Sequence, residues 1–387
     1  MNADIIIVGG GIVGATFALQ LAASKLHVVV VDRNAAMPQV PQGDFDHRVY
    51  ALTPANISLL ERLDLFQAHD RARLTPIRAM EIVGDRQAHL TFSAREMGRS
   101  ELALMVEHRL LAHRLEEKLR SAAHVQYLDH RAPKSLAVNH SGVTLTLDDA
   151  TTISAALVVG ADGAKSWVRD EAGFTSREKD FGQAALVANF RCEKKHDYIA
   201  RQWFADGGIL AWLPLGENVI SIVWSLPISG ADALAALSAD EFSNAVAVGG
   251  KSLLGVMRLV SPVARFPLVS ARSEQLVLPH VALMGDAAHV VHPLAGQGLN
   301  LGLQDAAMLA QVLCSRGGPE AAGDWALLRR YERARKESLL AMQLVTDGLQ
   351  SLFAMDSVFA AGLRNAGLGL IDNFPSLKKM LARRAIG

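Results

Sequence analysis

Short apolar runs bounded by glycine or an acid recur along the chain. They are Asp4 to Val8 (DIIIV), Val28 to Val31 (VVVV), Leu157 to Gly160 (LVVG) and Val281 to Met284 (VALM). Continuous apolar runs of this length are typical of strands buried on both faces of a sheet. The segment between the first two runs has the apolar spacing of a helix. The pattern therefore predicts an α/β fold with a Rossmann-like lobe.

A β-branched and aromatic pattern occupies residues 77–92 and 181–226, with segments such as VANF, GILAWLPL and VISIVWSL. These segments predict strands, and we expect them to form a mainly β substrate lobe inserted into the first lobe. The expected division is 1–75, 101–175 and 272–330 for the first lobe, 76–100 and 176–271 for the β lobe, and 331–387 for C-terminal helices. We also expect helices at Val106 to Leu119 and Leu234 to Val246, and strands at Val143 to Leu147 and Val260 to Val269.

Three glycines, Gly9, Gly11 and Gly14, form a GxGxxG pattern directly after the first predicted strand. The second predicted strand ends at Asp32, with Arg33 beside it. In a dinucleotide site the glycines allow a tight turn and close approach of a pyrophosphate, and an acid about 20 residues further on binds ribose hydroxyls. A glycine turn in an unrelated α/β unit is the alternative, but the strand-turn-helix-strand context favours a dinucleotide.

Two further acids stand at predicted strand ends. Asp162 follows the LVVG run, and Asp286 follows Gly285 after the VALM run. Ligands of open α/β sheets bind outside the carboxyl ends of the strands, where a carboxylate can accept hydrogen bonds from sugar hydroxyls. Together with Asp32, these acids predict contact with one extended ligand. FAD is long enough to touch all three.

The stretch after Asp286 predicts a turn and a helix start. Gly296 and Gly298, which follow Pro293, let the backbone pass close to a planar ligand before Asn300 opens a helix. The positive end of that helix would stabilise the negative charge that a flavin pyrimidine acquires on reduction. A glycine-rich strand-turn-helix without a ligand is the alternative interpretation.

The motifs as a set resemble those of the single-component FAD-dependent aromatic hydroxylases. The resemblance rests on the GxGxxG turn, on Asp162-Gly163 with Ser166 and Arg169, and on Gly285-Asp286 running on to His292-Pro293. Within that group the chain is most similar to the ubiquinone-biosynthesis hydroxylases. This narrower resemblance rests on Asp46-x-Arg48-x-x-Ala51-Leu52, on Val106 to Leu110 (VEHRL) and on the stretch from Ala287 to Ala306.

The resemblance covers roughly residues 3 to 345, with two departures. Asp32 stands where many of these flavoproteins carry Glu, a change that preserves the role of the acid. His108 occupies a place where this subfamily often has Asn. Neither departure puts FAD binding in doubt, but the second leaves residue 108 without an assigned role.

The resemblance implies a fold like that of para-hydroxybenzoate hydroxylase and a monooxygenase that uses FAD, O2 and NADPH or NADH as a transient co-substrate. The implied reaction is hydroxylation of a polyprenylated phenol of ubiquinone biosynthesis through a flavin C4a-hydroperoxide. The implied catalytic residues are His292, Pro293 and Gly296. The cofactor-binding residues expected from the motifs and the resemblance are Gly9, Gly11, Gly14, Asp32, Arg33, Arg48, Arg109, Asp162, Gly285, Asp286, Gly296, Gln297, Gly298, Leu299 and Asn300.

The two histidines beside the flavin turn, His289 and His292, invite a metal or a base interpretation. No third ligand with suitable spacing accompanies them, so we expect no metal site. His292 could deprotonate a phenol and so make it a better nucleophile, or it could only shape the backbone. For the substrate, Trp212 and Pro214, with Leu213 between them, are candidates for an apolar roof over the flavin. Ordinary strand packing is the alternative for these three residues.

Composition restricts the possible partners and compartments. The chain has 39 acidic and 39 basic residues among its 387, so it has no general attraction to nucleic acid. Its two cysteines, Cys192 and Cys314, occur in unrelated contexts and predict neither a disulfide nor a zinc site. The sequence contains no apolar run of 18 residues, the length that would predict a spanning helix. We therefore expect a cytoplasmic protein, and the sequence leaves its oligomeric state open.

The last residues form a short basic amphipathic segment in which Lys378, Lys379, Arg383 and Arg384 alternate with apolar residues. Such a segment could lie peripherally on the inner membrane or in a ubiquinone-biosynthesis complex, where a hydrophobic aromatic quinone precursor would be met. It could equally be a solvated helix packed on its own lobe.

Two other functions remain open. One is a hydroxylase of a small soluble aromatic or secondary metabolite, which a basic side chain in the pocket would support. The other is a noncatalytic flavoprotein scaffold.

Overall fold

The computed structural model of the chain describes residues 1–34, 43, 45–84, 89–205, 208–291, 297–318, 322–337 and 339. Residues 325–337 are helical. Short 3-10 turns lie at Ala22–Ser24, Ala68–Arg73, Arg95–Met97 and Gly285–Ala287. The α-helices that precede 325–337 are α1 Ile12–Gln20, α2 Pro54–Arg62, α3 His108–Ser121, α4 Trp167–Glu171, α5 Ile228–Ala235, α6 Ala239–Gly249 and α7 Gly298–Cys314.

The strands fall into four sheets. In chain order they are β1 Ile5–Val8, β2 Val28–Val31, β3 Val49–Leu52, β4 Thr75–Ile77, β5 Ala79–Val83, β6 His89–Ser93, β7 Ala103–Glu107, β8 Val125–Leu128, β9 Pro133–Asn139, β10 Gly142–Leu147, β11 Thr152–Ala155, β12 Leu157–Gly160, β13 Ser176–Cys192, β14 Ile199–Ala205, β15 Gly208–Leu215, β16 Val219–Pro227, β17 Met257–Leu259, β18 Ala264–Ser273, β19 Val277–Leu278, β20 Val281–Leu283 and β21 His289–Val290.

The apolar runs form a six-stranded sheet in the order β19-β20-β12-β1-β2-β8. Strands β20 to β8 are parallel, and β19 joins the edge antiparallel. Every residue of β1, β2, β12 and β20 is buried, as continuous apolar runs require. Because these strands are parallel neighbours, their carboxyl ends meet at one edge of the sheet, and the three predicted strand-end acids lie along that edge. The α/β prediction is confirmed.

The β-branched segments form a nine-stranded sheet whose main path is β21-β18-β13-β16-β15-β14-β5-β6, with β17 paired to β13. Two three-stranded sheets, β11-β10-β9 and β3-β7-β4, complete the fold. Side chains alternate between the two faces of the large sheet. One face packs against α6, where Trp212, Phe190 and Phe242 share a core cluster. The other face meets β3 and β7 through a second cluster that includes Leu213 and Met105.

Two predicted helices differ from those observed. Val106 belongs to β7, and the helix predicted to start there begins at His108. The single helix predicted between residues 234 and 246 is two helices, α5 and α6, because Ser238 starts a new one. Its hydroxyl accepts a hydrogen bond from the backbone N of Glu241 while Glu241 accepts from the backbone N of Ser238. This capping box satisfies donors that a continuous helix would bond internally. None of the described helices is long and apolar enough to span a bilayer.

Candidate active site

The turn after β1 needs its glycines for two different reasons. Gly9 has φ +106°, and a Cβ there would lie 2.3 Å from the carbonyl oxygen of Ala161. A Cβ on Gly14 would lie 2.0 Å from the carbonyl oxygen of Gly9. At Gly11, by contrast, φ is −65° and an added Cβ would meet nothing within 4 Å. Protein packing explains Gly9 and Gly14, whereas Gly11 borders open space that a pyrophosphate can enter.

Asp32 lies at the end of β2 with its carboxylate turned toward this glycine turn. Its Oδ2 accepts a hydrogen bond from the backbone N of Gly10 at 2.7 Å, and its Oδ1 accepts from that of Asn34 at 2.8 Å. The ring of Tyr127 flanks the same position, 2.9 Å from where a Cβ on Gly10 would stand. Arg33 is exposed beside it. Each carboxylate oxygen of Asp32 keeps a lone pair with which it can accept from a ribose hydroxyl.

Asp162 organises its own loop at the end of β12. Its Oδ1 accepts from the Ser166 hydroxyl at 2.5 Å, and its Oδ2 accepts from the backbone N of Val168 at 3.1 Å. Burial raises the pKa of the Asp162 carboxyl overall, although these hydrogen bonds act in the opposite direction. Arg169 donates to the carbonyl oxygen of Ala287 at 3.4 Å. The loop after β12 is thus joined to the turn after β20, and each oxygen of Asp162 already accepts one hydrogen bond from its own loop.

Gly285 and Asp286 form the turn after β20. Gly285 has φ +58°, a left-handed conformation that favours glycine. The side chain of Asp286 is exposed, although protein lies around most of its carboxyl group. This burial raises the pKa of its carboxyl, and the charges of His289 and Arg48 act in the opposite direction. The turn after β20 and Arg48 are therefore close enough for their charges to interact.

A buried group that the sequence did not reveal supports this turn. It consists of Asp305, His289, Arg335 and the backbone N of Gly285, and we call it the Asp305 cluster. One Asp305 oxygen is 2.6 Å from Nε2 of His289 and accepts from Gly285 at 2.9 Å, and the other accepts from Nε of Arg335 at 2.5 Å. Asp305 is 0% exposed and His289 2%. Burial raises the pKa of the Asp305 carboxyl, but its positive and hydrogen-bonding partners outweigh burial and lower that pKa overall.

The Asp305 cluster explains His289, for which a metal or a base role was considered. His289 binds the Asp305 carboxylate in the core. Through Asp305, the turn after β20 is joined to α7 and, by Arg335, to the helix at 325–337. One sequence signal could have revealed the cluster. Asp305 occupies an inward position of α7, one turn from Leu301 and one from Leu309, where an acid must be paired to be buried.

The segment before β3 and the start of α3 form a polar corner. Asp46 accepts from the backbone N of Arg48 at 3.2 Å and from that of Arg109 at 3.1 Å. The hydroxyl of Tyr50 lies 3.0 Å from Nδ1 of His108, and the Arg48 guanidinium lies 5.6 Å from the centre of the Tyr50 ring. His108, which had no assigned role, is therefore the hydrogen-bond partner of Tyr50. Burial raises the pKa of Tyr50 to about 12.

A pH dependence of stability follows from His108. Burial, assisted by the charge of Arg48, lowers its pKa from 6.5 to about 4. Between these values the unfolded chain binds more protons than the folded one, so stability falls as the pH falls from 6.5 to 4, by about 3 kcal/mol at most. We expect His108→Asn to remove this contribution, as measured by urea unfolding across that window. His140→Asn, which removes an exposed histidine, is the control, and equal pH slopes in both variants would contradict the assignment.

The first turn of α7 is fixed to β3 by Asn300. Its side-chain oxygen accepts from the backbone N of Thr53 at 2.9 Å and from Nδ2 of Asn56 at 2.8 Å, and its own Nδ2 donates to the carbonyl oxygen of Ala51 at 2.8 Å. The side chain predicted to contact the cofactor thus holds the helix in place. Gln297 precedes this helix, which begins with Gly298 and Leu299. The predicted catalytic residues His292, Pro293 and Gly296 lie outside the described residues.

The roof candidates lie on different faces of the large sheet. The indole of Trp212 is 1% exposed and packs under α6, where a Cβ on Gly250 would lie 1.9 Å from it. Leu213, the next residue, lies on the opposite face with Val49 and Ala51 of β3. By strand alternation, Pro214 shares the face of Trp212. Leu213 is therefore the one of the three whose side chain is on the face that meets the cofactor lobe.

Comparisons with known proteins agree with this geometry. Residues 2–346 match the family described as FAD binding domain. The chain is 34% identical to the ubiquinone hydroxylase UbiL of Rhodospirillum rubrum over 387 residues, which cover 100% of this chain and 90% of that protein. It is 34% identical to the 3-demethoxyubiquinol 3-hydroxylase of Escherichia coli, with 99% and 98% covered.

The fold is shared with proteins of known structure. The structure of Pseudomonas aeruginosa PqsL in complex with 2-aminobenzoylacetate superimposes with a TM-score of 0.78 at 23% identity, covering 94% of this chain and 100% of that one. The p-nitrophenol 4-monooxygenase PnpA of Pseudomonas putida gives 0.77 at 17% identity, with 99% and 98% covered. With the open approach at Gly11 and the carboxylate of Asp32 beside it, the residues present fit FAD. The chain belongs to the FAD binding domain family and is a FAD-dependent monooxygenase.

Proposed function

We propose that this monooxygenase hydroxylates the aromatic ring of a polyprenylated phenol in ubiquinone biosynthesis, with NADPH or NADH as reductant and O2 as oxidant. The names of its relatives support the pathway, since the two that are 34% identical are a ubiquinone hydroxylase and a 3-demethoxyubiquinol 3-hydroxylase. The observation that carries the substrate class is the lack of charge in the central rows of one face of the nine-stranded sheet, as far as the described residues extend.

We call this the uncharged face. It is the face opposite α6, and the pairing of β13, β16, β15 and β14 aligns its side chains in rows. Arg191, the next residue on the same side of β13, is charged and marks one end of this face. The members of the face itself are apolar or neutral polar. They are Ala185, Val187 and Asn189 on β13, Ser221, Val223 and Ser225 on β16, Ile209, Ala211 and Leu213 on β15, and Ala200, Gln202 and Phe204 on β14.

The uncharged face is turned toward the segment that contains the polar corner. Nδ2 of Asn189 donates to the carbonyl oxygens of Phe45 at 3.2 Å and of Asp46 at 3.0 Å. Next to it, β18 pairs with β21, the strand that runs into the predicted flavin turn. A carboxylate placed against the central rows of this face would lose its hydration without meeting a cation among their side chains, which is strongly unfavourable. An uncharged phenol with an apolar tail is the better match, and the small aromatic acid loses the support that a basic side chain would have given it.

Each part of FAD would be held by different residues. We propose Gly9, Gly11, Gly14, Asp32 and Arg33 for the adenosine and pyrophosphate, Arg48 and Arg109 for the phosphates or the flavin edge, Asp162 through its loop, Gly285 and Asp286 for the ribityl chain, and Gly296, Gln297, Gly298, Leu299 and Asn300 for the isoalloxazine. Bound FAD supplies hydride acceptance and the reaction with O2. The protein positions the phenol and keeps water out.

The proposal makes a prediction at the centre of the uncharged face. Val223→Lys places a cation where the substrate would lie, and we expect the KM for a prenylated phenol to rise about tenfold or more, because the ammonium must be desolvated when the apolar substrate binds. Steady-state kinetics with the FAD-loaded enzyme measure it. Val223→Met, of similar length without the charge, is the control. Equal KM values in the two variants would show that the substrate lies elsewhere.

His292, Pro293 and Gly296 remain our proposed catalytic residues beside the isoalloxazine. If His292 removes the phenol proton, His292→Ala should keep the FAD content and lower the hydroxylation rate by about 100-fold, the usual contribution of a positioned base. The measurement is product formation per bound FAD. Loss of FAD without a further loss in rate per bound FAD would assign His292 to the shape of the turn instead.

The two-lobe division 1–75, 101–175 and 272–330 against 76–100 and 176–271, with C-terminal helices at 331–387, also remains a proposal. Sheet membership supports it, since the six-stranded sheet is built from the first set of ranges and β5, β6 and β13 to β17 from the second. β21 is an exception, because it follows residue 272 but pairs with β18. We further propose that the enzyme works at the inner membrane, where a prenylated substrate would reside. The basic amphipathic tail suggested for this role lies outside the described residues.

A further inference from the structure

Three of the most exposed large apolar side chains lie in one short stretch of the β lobe. Val248 is 62% exposed, Leu253 48% and Val256 65%. The stretch folds back on the end of α6, since the backbone N of Lys251 donates to the carbonyl oxygen of Val248 at 2.8 Å and that of Ser252 to Ala247 at 2.7 Å. The three apolar side chains therefore stand on one compact turn instead of along an extended segment.

Exposed cations lie next to this turn, in the same stretch and on the strand that pairs with it. Lys251 and Arg258 belong to the same stretch, and the others come from the end of β13, where Arg191 pairs with Arg258 across the β13–β17 ladder. The backbone N of Lys194, which is followed by Lys195, donates to Leu254 at 3.1 Å. We call this surface the basic corner. It consists of Val248, Leu253 and Val256 with Arg191, Lys194, Lys195, Lys251 and Arg258, all of them exposed.

The charges of the basic corner are not balanced locally. Within the described part of the chain, none of its five cations makes an ion pair. Glu193 is the acid among them, and its Oε2 accepts from the backbone N of Val256 at 2.9 Å. Because the whole chain has a net charge of zero, this excess is a property of the corner and not of the protein as a whole.

Exposed apolar side chains next to unpaired cations fit a partner that is both apolar and anionic. At an anionic bilayer the apolar groups enter the headgroup region while the cations meet lipid phosphates. A second copy of the chain docked symmetrically would bring like charges together. Nucleic acid would be contacted through phosphates and stacked aromatics, and the corner offers three aliphatic side chains instead. We propose that the basic corner docks the enzyme on an anionic membrane surface.

The corner is also well placed to receive a substrate from lipid. Arg191 follows Asn189 on the same side of β13, about 7 Å further along the strand. It therefore stands at the end of the uncharged face. Docking at the corner thus brings one end of that face to the bilayer. This inference rests on the proposed prenylated substrate, which would leave the lipid at that point.

Vesicle sedimentation of the full-length, FAD-loaded enzyme tests the proposal. We expect binding to vesicles that contain phosphatidylglycerol and much weaker binding to phosphatidylcholine alone. Lys194→Glu with Lys195→Glu should lower the partition coefficient at least tenfold, and Val248→Ser with Val256→Ser by a similar factor. Lys25→Glu with Lys134→Glu makes the same charge change at exposed lysines elsewhere and should lower it less than twofold. Each variant must keep its FAD content.

Several outcomes would overturn the proposal. They are no binding of the wild type to anionic vesicles, equal effects of the two charge-reversal pairs, or binding lost only when residues 376–387 are deleted. A change of oligomeric state in the corner variants would instead assign the surface to a second copy. Failure of the proposed function is separate: wild-type enzyme that binds vesicles but does not hydroxylate a detergent-dispersed prenylated phenol would contradict the substrate and leave the docking surface standing.

Discussion

Gly11→Ala should abolish FAD binding and leave the protein folded. Residue 11 has φ −65°, which alanine adopts freely, and its Cβ would meet no protein atom within 4 Å. The methyl group would instead stand where the pyrophosphate must approach the turn and the start of α1. We expect FAD affinity to fall at least about 100-fold, since losing that close approach amounts to several kcal/mol, while the melting temperature of the apoprotein changes little. Flavin fluorescence titration and calorimetry of the apoprotein measure the two effects.

Two further glycines provide controls for this prediction. Gly317→Ala, where a Cβ also meets nothing within 4 Å, should alter neither property. Gly14→Ala should destabilise the apoprotein as well, because its Cβ would lie 2.0 Å from the carbonyl oxygen of Gly9. If Gly11→Ala binds FAD like the wild type, the turn after β1 is not the pyrophosphate site.

Asp305→Ala should be the most destabilising single change in the cofactor lobe. It removes the carboxylate that binds His289, Gly285 and Arg335, and leaves the guanidinium of Arg335, 4% exposed, without its ionic partner. Breaking a buried pair in this way costs about 3–5 kcal/mol. Because Gly285 precedes Asp286, FAD affinity should fall with it. Urea unfolding of the apoprotein and FAD titration measure the two losses.

An exposed ion pair gives the matched control. Glu274 pairs with Arg177 at 2.7 Å, but the two side chains are 44% and 85% exposed. We expect Glu274→Ala to cost far less than Asp305→Ala, because solvent screens an exposed pair. Similar losses in the two variants would mean that the Asp305 cluster does not hold the turn after β20.

The parts of the fold that could be predicted are those determined by local pattern. The valines of β2 and the isoleucines of β1 are apolar at every position, a pattern that only a strand buried on both faces requires. The GxGxxG turn follows from a local pattern of strand, glycines and helix. Gly14 is required by the carbonyl oxygen of Gly9 in the same turn, whereas Gly9 is required by that of Ala161 in a neighbouring loop. Parallel strand order then brings Asp32, Asp162 and Asp286 to one edge of the sheet.

The parts that could not be predicted depend on long-range contacts. Asp305 of α7 pairs with Arg335, which lies on another helix. Tyr50 of β3 bonds His108 of α3, which is 58 positions further along the chain. No spacing rule relates these residues. Trp212 is a candidate for the roof because it is large and apolar. The packing of α6 decides which face of β15 is covered, and it covers the face that carries Trp212. The boundary between α5 and α6 is different, because it follows from a local signal, the capping box of Ser238 and Glu241.

The most direct test of the proposed function is NADPH or NADH oxidation by the FAD-loaded enzyme with and without a prenylated phenol, followed by mass spectrometry of the product. The uncharged face predicts oxidation that the phenol stimulates and a product that has gained one oxygen atom. Flavin reduction that yields only hydrogen peroxide with prenylated phenols, together with hydroxylation of a soluble aromatic acid, would contradict it.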